Sequence, residues 1–501
     1  MKQKILNIAY CVIFMAIIIV PALLTNTKKA QVSAIDNKTL TEWPHFTWKL
    51  ENRDLVEDYV DDRIGLREPA INSYIALNDR LFDVMVHPLF MYGQEGHIFY
   101  KDADYIAAYQ HLNTDTKMLD DFVTFLEQTQ DYLSKKDIEF LYFVCPDKKT
   151  IYSEYFPKSI HVNEANVSVT DYLDEKLSAT DVDYIIPIDE LLQAKNDKVI
   201  YNKKYDATHW NEFGAMTAHK LIDAKAQEWF DDVRPLTEDD FNLEFVKVDS
   251  LDIAKFPIEE EVPIYSLKND TSADATDYLL NSLQGSTTTF FYHYINEEAQ
   301  SDEILLVFVD SYFGSYEKYY NNRYKEVYFV HRQNYDYLQY YVNLFFPNAV
   351  IFETAERSVS SEMPLLADFS NYYYEEPYAD EPRNEAANGP KYHITSTIGA
   401  NLTDGQLRLK HEGTTNIIRI DGVLSSDYPA TKYRVYARVG EVTLETDFCQ
   451  LERASKAAGE QYFSLSIQRK YMAEGQIELF AINEETNEIC QMDTLEVVYE
   501  E

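Results

Sequence analysis

Basic residues are scarce in this 501-residue chain. Its 45 Lys and Arg stand against 85 Asp and Glu, which leaves a formal net charge of −40. A chain that negative repels phosphate backbones, so nucleic acid is set aside as a partner. It also disfavours a polyanionic polymer unless a local basic groove or bound cations intervene. Cysteine is scarce as well. Four cysteines cannot staple a disulfide scaffold, and no two have zinc-ligand spacing, so neither a structural metal nor a cofactor is expected. Cys449 and Cys490 share the C-terminal region and are candidates for a pair, which spacing alone does not decide. With 14 Gly and 16 Pro the chain is neither collagen-like nor low-complexity, and no internal repeat or heptad is visible. Aromatics are abundant, with 40 Tyr; most are expected in packing, and a minority could form sugar-stacking faces. The length calls for at least two folded units.

The N-terminus decides the compartment. Lys2 and Lys4 precede an uncharged stretch from Ile5 to Leu24, about the length a helix needs to cross a bilayer. Residues 1–24 are read as an uncleaved transmembrane signal anchor. A cleaved signal peptide is the competitor, with its best site at Val32-Ser33-Ala34. The N-terminal lysines and the acidic remainder favour the bulk of the chain outside the cell membrane.

Beyond a lead-in over 25–100, the chain reads as an α/β body followed by a β tail. Leu119, Phe122, Val123, Leu126 and Leu133 follow helical spacing, with Thr114 or Asp115 able to cap the helix. Ala215, Ala218, Leu221, Ile222 and Trp229 mark a second helix. Apolar runs of strand length occur at Ile138–Cys145, Tyr184–Ile188, Ile304–Val309, Val327–Val330 and Ala349–Phe352. The last three alternate with helix-like segments, so a parallel sheet flanked by helices is expected. Reactive groups in such a sheet sit at the C-terminal ends of strands. Glu375 to Pro390 is polar and carries Pro377, Pro382, Gly389 and Pro390, and is read as a linker over 376–391. From 392 to 501 short alternating or β-branched strands predict a β-sandwich: Ile417–Ile420, Tyr433–Val439, Tyr462–Ile467, Ile477–Ile482 and Leu495–Tyr499.

Two motifs about a hundred residues apart carry the chemistry. The first is Tyr205-Asp206-Ala207-Thr208-His209-Trp210-Asn211, directly before a helix. When such a loop curls, the carboxylate meets the imidazole N–H and fixes its tautomer. Alone, most such pairs are surface residues or a helix cap. The second is Val309-Asp310-Ser311-Tyr312-Phe313-Gly314-Ser315. A serine just past a buried parallel strand projects its hydroxyl into a cleft, and a helix starting there supplies backbone N–H groups for an oxyanion. Alone, Ser311 reads equally as an N-cap. Together the loops supply a nucleophile (Ser311), a base (His209) and an orienting acid (Asp206). Ser311 and Gly314 are the expected oxyanion donors. Arg332, after the next strand, and Tyr316 are candidates for holding an acyl or sugar oxygen. Lys148 is expected in a turn or a buried ion pair, Trp210 beneath the loop, and Asp310 in the turn. Glu353 and Arg357 are expected to pair with each other or order a loop.

Over about residues 36–358 the sequence resembles the SGNH-hydrolase-like family of alginate and exopolysaccharide O-acetyltransferases. The resemblance runs from Asp36 to Pro44 and through Asp61-Asp62-Arg63-Ile64-Gly65-Leu66-Arg67, Gly96 to Tyr100, and Pro146 to Tyr152. Its most specific parts are the Asp206 to Asn211 loop with Gly214-Ala215, and Asp310-Ser311; Val350 to Arg357 also fits. It implies an SGNH-like catalytic domain (25–375), with His209 as base, Ser311 as nucleophile and Asp206 as orienting acid. The alginate enzymes usually have Asp and His two apart; here Ala207 and Thr208 separate them, as in ordinary SGNH hydrolases. The resemblance further implies a polysaccharide acceptor and a membrane-bound O-acyltransferase as acetyl supplier. It also implies a β-rich, carbohydrate-binding C-terminal module, onto which no binding residue can be carried. Two other readings stay open: a carbohydrate esterase or deacetylase with the same residues, and a non-catalytic glycan-binding scaffold.

Overall fold

The computed structural model describes residues 2–28, 40–43, 52–82, 84–251, 257–279, 283, 289–314, 316–360, 390–410, 415–425, 433–440, 442–445, 460–472, 475–483, 486 and 488–500. The expected cleavage site, nearly all of the linker and Cys449 with its proposed pairing lie outside these residues. Helix α1 (Lys2–Leu23) is the one helix among them long and apolar enough to cross a membrane.

The body is built on a seven-stranded sheet. In chain order its strands are β1 (Glu139–Cys145), β2 (Tyr184–Ile185), β3 (Ala273–Asp274), β4 (Tyr292–Ile295), β5 (Ile304–Val309), β6 (Glu326–His331) and β7 (Ala349–Ala355). The spatial order is β2-β1-β7-β5-β6-β4-β3. The five strands from β2 to β6 run parallel, while β4 and β3 add an antiparallel edge. The fully parallel expectation is therefore corrected at that edge.

Period-two side-chain alternation sends each strand's residues into two different cores, because both faces of the sheet are covered. Phe140, Tyr142 and Val144 of β1 join Leu306 and Phe308 of β5 against helices α2 (Thr116–Ser134) and α3 (Leu338–Phe345). Leu141, Phe143 and Cys145 join Leu305, Val307 and Val309 against helix α4 (Glu212–Trp229). Each fully buried Leu or Phe contributes roughly 1.5–3 kcal/mol, so displacing β5 from the sheet centre would be prohibitive. Asp115 caps α2 through the Met118 N–H, and Asn211 caps α4 through the Phe213 and Gly214 N–H groups.

The helix expected to start at Ser311 does not form. Residues 311–314 are a turn, followed by a single 3-10 turn at Glu317–Tyr319. Tyr312, Phe313, Tyr319 and Tyr320 are all fully buried, while Ser311, Tyr316, Glu317 and Lys318 are half-buried.

In the C-terminal region a three-stranded antiparallel sheet (Lys391–Ile398, Ile417–Ser425, Glu460–Gln468) faces a six-stranded sheet. Leu407, Ile418, Ile420, Val435, Leu465, Leu479 and Leu495 fill one core between them. This region docks on the body through Gln468 Nε2, which donates to the Leu344 carbonyl at 2.6 Å, and through a 2.5 Å ion pair between Lys470 and Glu326.

Candidate active site

The site forms where three strands of the body end. β5 delivers Asp310 and Ser311, β7 delivers Glu356 and Arg357, and β1 delivers Asp147 and Lys148. The loop before α4 comes over the top with Asp206 and His209.

Ser311, His209 and Asp206 are brought into one chain of contacts. His209 Nε2 stands 2.9 Å from Ser311 Oγ, and His209 Nδ1 stands 2.9 Å from Asp206 Oδ2. With Asp206 ionised, Nδ1 is the donor to it, which leaves the Nε2 lone pair facing the serine hydroxyl. Asp206 Oδ1 accepts the Thr208 and His209 N–H groups at 2.8 and 2.9 Å. Burial pushes this carboxyl up, but the His209 ring and these hydrogen bonds outweigh it and hold the pKa well below the usual carboxylate range. The arrangement can take a proton from Ser311 and hold the resulting imidazolium beside a fixed carboxylate.

The loop is held by groups that sequence reasoning missed or misread. Lys148 makes no ion pair among the described residues. Four carbonyls, of Ile98, Asn202, Lys203 and Asp206, surround its buried ammonium at 2.6–3.0 Å, and its backbone N–H donates to the Thr208 carbonyl at 2.9 Å. Tyr312 OH, 2.8 Å from the Thr208 carbonyl, holds the same point from below. Glu260 accepts the N–H groups of Lys203, Lys204 and Tyr205 at 2.6–2.7 Å. It reaches in from the two-stranded ribbon Phe241–Ser250 and Pro257–Leu267. Trp210 is buried beneath the loop, edge-on to Tyr312.

Beneath Ser311 lies a group of buried charges. Asp310 Oδ1 accepts the Tyr312 N–H and Oδ2 accepts the Ala355 N–H, both at 2.9 Å, which fixes the turn. Glu353, fully buried, accepts the Asp310 N–H at 2.7 Å. Burial and the adjacent Asp310 charge push its pKa far up, which favours the neutral form. Arg332 was expected at the sheet edge, facing substrate. Its side chain is instead 8% exposed, with Nε 3.5 Å from Asp310 Oδ2, because the short turn after β6 folds it back under the nucleophile. Tyr316 is half-buried, its OH 3.5 Å from the Trp210 carbonyl.

The expected oxyanion donor Gly314 is corrected. Its N–H donates to the Asp310 carbonyl at 2.9 Å. Glycine is required there because a Cβ would lie 2.4 Å from the Phe290 ring. The Ser311 N–H has no acceptor among the described residues. Glu353 and Arg357 do not pair. Arg357 binds Asp147 and turns its other edge to the site, with Nη2 3.2 Å from His209 Nε2 and 3.4 Å from Ser311 Oγ. The adjacent Glu356 binds Lys149 and Thr150. The Pro146-Asp147-Lys148-Lys149-Thr150 run and the end of β7 thus form one network. No group of three or more metal-ligating side chains occurs among the described residues.

No family model matches the sequence, and no curated protein matches it. Solved structures to which the chain is similar include Bacillus cereus PatB1 carrying a sulfonyl adduct, at 17% identity and TM-score 0.43, covering 57% of this chain and 97% of that one. The O-acetyltransferase domain of Pseudomonas putida AlgJ is similar at 13% identity and TM-score 0.36, covering 55% and 93%. Pseudomonas aeruginosa AlgX is similar at 14% identity and TM-score 0.33, covering 81% and 95%.

Proposed function

We propose that this protein transfers acetyl groups to hydroxyls of an extracellular polysaccharide through an acetyl-enzyme on Ser311. The observation that carries the reading is the 2.9 Å contact between His209 Nε2 and Ser311 Oγ, with Asp206 2.9 Å behind the ring. A serine so placed is an activated nucleophile. The sequence resemblance to exopolysaccharide O-acetyltransferases supports acetyl as the group and a sugar hydroxyl as its acceptor.

In the first half-reaction His209 takes the Ser311 proton as Oγ attacks the donor carbonyl, a contribution of roughly 10²–10⁴-fold. The tetrahedral intermediate collapses, and His209 returns the proton to the leaving group. In the second half His209 deprotonates a sugar hydroxyl, whose oxygen attacks the acetyl-serine carbonyl; the acyl–Oγ bond then breaks and His209 returns the proton to Ser311 Oγ. Asp206 holds the imidazolium in both halves. α1 tethers the enzyme beside a membrane-bound acyltransferase, which raises the effective concentration of the acetyl source.

The test incubates the full chain in detergent with p-nitrophenyl acetate and neutral oligosaccharides. Acetylated sugar supports the reading. Free acetate with no acetylated sugar would make the protein a hydrolase. A Ser311→Ala variant that kept the parent rate would remove both.

A further inference from the structure

The site holds a cation that the relay of Asp206, His209 and Ser311 does not use. Arg357 is the second residue of the short helix Glu356–Ser360 after β7, and one edge of its guanidinium is held by Asp147. Nη1 is paired with Asp147 Oδ1, and the Arg357 backbone N–H donates to Asp147 Oδ2 at 3.1 Å. Asp147 is fully buried, with its Oδ1 3.0 Å from Tyr312 OH. The guanidinium carbon lies 5.4 Å from the Tyr312 ring centre. A planar group fixed at one edge presents its other edge in a set direction. Here that edge is Nη2, which faces the two atoms that exchange the proton.

Resting on the acetyl-transfer reading, we infer that Arg357 is a catalytic residue that stabilises the oxyanion. Its Nη2–H donates to the acyl oxygen as that oxygen gains charge, together with the Ser311 N–H.

Three observations lead there. First, the Gly314 N–H is committed to the Asp310 carbonyl, so the turn has one donor fewer than its sequence promised. Second, neutral His209 has one lone pair at Nε2 once Nδ1–H serves Asp206. Ser311 and Arg357 both point a hydrogen at it, at 2.9 and 3.2 Å, and only one can use it. Third, proton transfer to Nε2 puts an imidazolium against a guanidinium. Like charges that close disfavour each other unless a negative charge lies between them. The tetrahedral oxyanion, bonded to the carbon that Oγ attacks, supplies that charge.

The step balances. Oγ forms a bond to the acyl carbon as the carbonyl π pair moves onto oxygen. The Ser311 proton passes to Nε2. On collapse the C=O bond re-forms, the bond to the donor's leaving group breaks, and the Nε2 proton goes to that group. Arg357 keeps all its protons throughout.

The experiment measures hydrolysis of p-nitrophenyl acetate by the full chain in detergent, for the parent, Arg357→Met, Arg357→Lys, Asp147→Asn/Arg357→Met and Ser311→Ala. The Met variant should lose about 10²–10³-fold in kcat, with KM within about threefold. The double variant, which removes the Asp147 charge together with its Arg357 partner, should lose as much while melting like the parent. The Lys variant, too short to bind Asp147 and the acyl oxygen together, should fall between. If the folded double variant keeps kcat within about threefold of the parent and Ser311→Ala is inactive, the Arg357 inference fails alone. If Ser311→Ala keeps the parent rate, the acetyl-enzyme reading fails first.

Discussion

Substituting Asn for Asp206 isolates the orienting carboxylate from the loop it also holds. Asp206 Oδ1 accepts the Thr208 and His209 N–H groups at 2.8 and 2.9 Å. An Asn carbonyl oxygen can accept both, so the loop keeps its shape. The position of Oδ2, 2.9 Å from His209 Nδ1, becomes an NH₂ group. That group donates to Nδ1, which reverses the tautomer and places a hydrogen on Nε2, facing Ser311. The ring can then no longer take the serine proton. The comparable change in a well-studied serine triad costs about 10⁴-fold, or about 5.5 kcal/mol of barrier at about 1.36 kcal/mol per tenfold. The assay is steady-state release of p-nitrophenol from p-nitrophenyl acetate, with a thermal melt as the control for folding. A loss of about 10⁴-fold in kcat at an unchanged melt is expected. A folded variant within about tenfold of the parent would refute the argument that Asp206 sets the tautomer.

Three further outcomes follow from the packing. Lys148→Met removes the ammonium that the Ile98, Asn202, Lys203 and Asp206 carbonyls surround, at roughly 1–3 kcal/mol for each buried carbonyl left without a donor. The melt should fall by several degrees and activity with it, and a melt within about 2 °C of the parent would contradict the role given to Lys148. Gly314→Ala drives a Cβ to 2.4 Å from the Phe290 ring. It should cost about 1–3 kcal/mol and lower kcat by displacing the Ser311 turn, and parental stability and kcat would contradict this. At the junction with the C-terminal region, burial pushes Glu326 up, but the His293 hydrogen bond and Lys470 pull its pKa down to about 2. A depressed carboxyl stabilises the fold above its unfolded pKa, and this is lost as pH falls toward the folded value. The melting difference between the parent and Glu326→Gln should therefore be full above about pH 4.5 and shrink as pH falls toward about 2. It is worth at most about 3 kcal/mol, less after screening at the exposed Lys470. A difference independent of pH would contradict it.

The strands at the sheet centre were legible because burial on both faces leaves an unbroken apolar run. Ile304–Val309 is one, and its bounds agree with the structure. The antiparallel edge was not, since Tyr292–Ile295 reads Tyr-His-Tyr-Ile, without strand-like alternation. The same ambiguity produced a helix after Ser311 where residues 311–314 form a turn. Asp206, His209 and Ser311 were legible because their local strings place reactive groups at loop and strand ends. Arg357 was not, since its anchor Asp147 lies 210 positions away and only the pairing of β1 with β7 brings them together. Gly314 was misassigned because its N–H is consumed by a turn that a helical reading did not contain.

The central claim is a covalent one, and peptide mass spectrometry tests it most directly. The full chain is mixed with an activated acetyl ester, quenched in acid within the first turnover, and digested. The account predicts an acetyl group on Ser311 that disappears when an oligosaccharide acceptor is added before the quench. It also predicts no such adduct in Ser311→Ala. An unmodified Ser311 in protein that is turning over donor would contradict it.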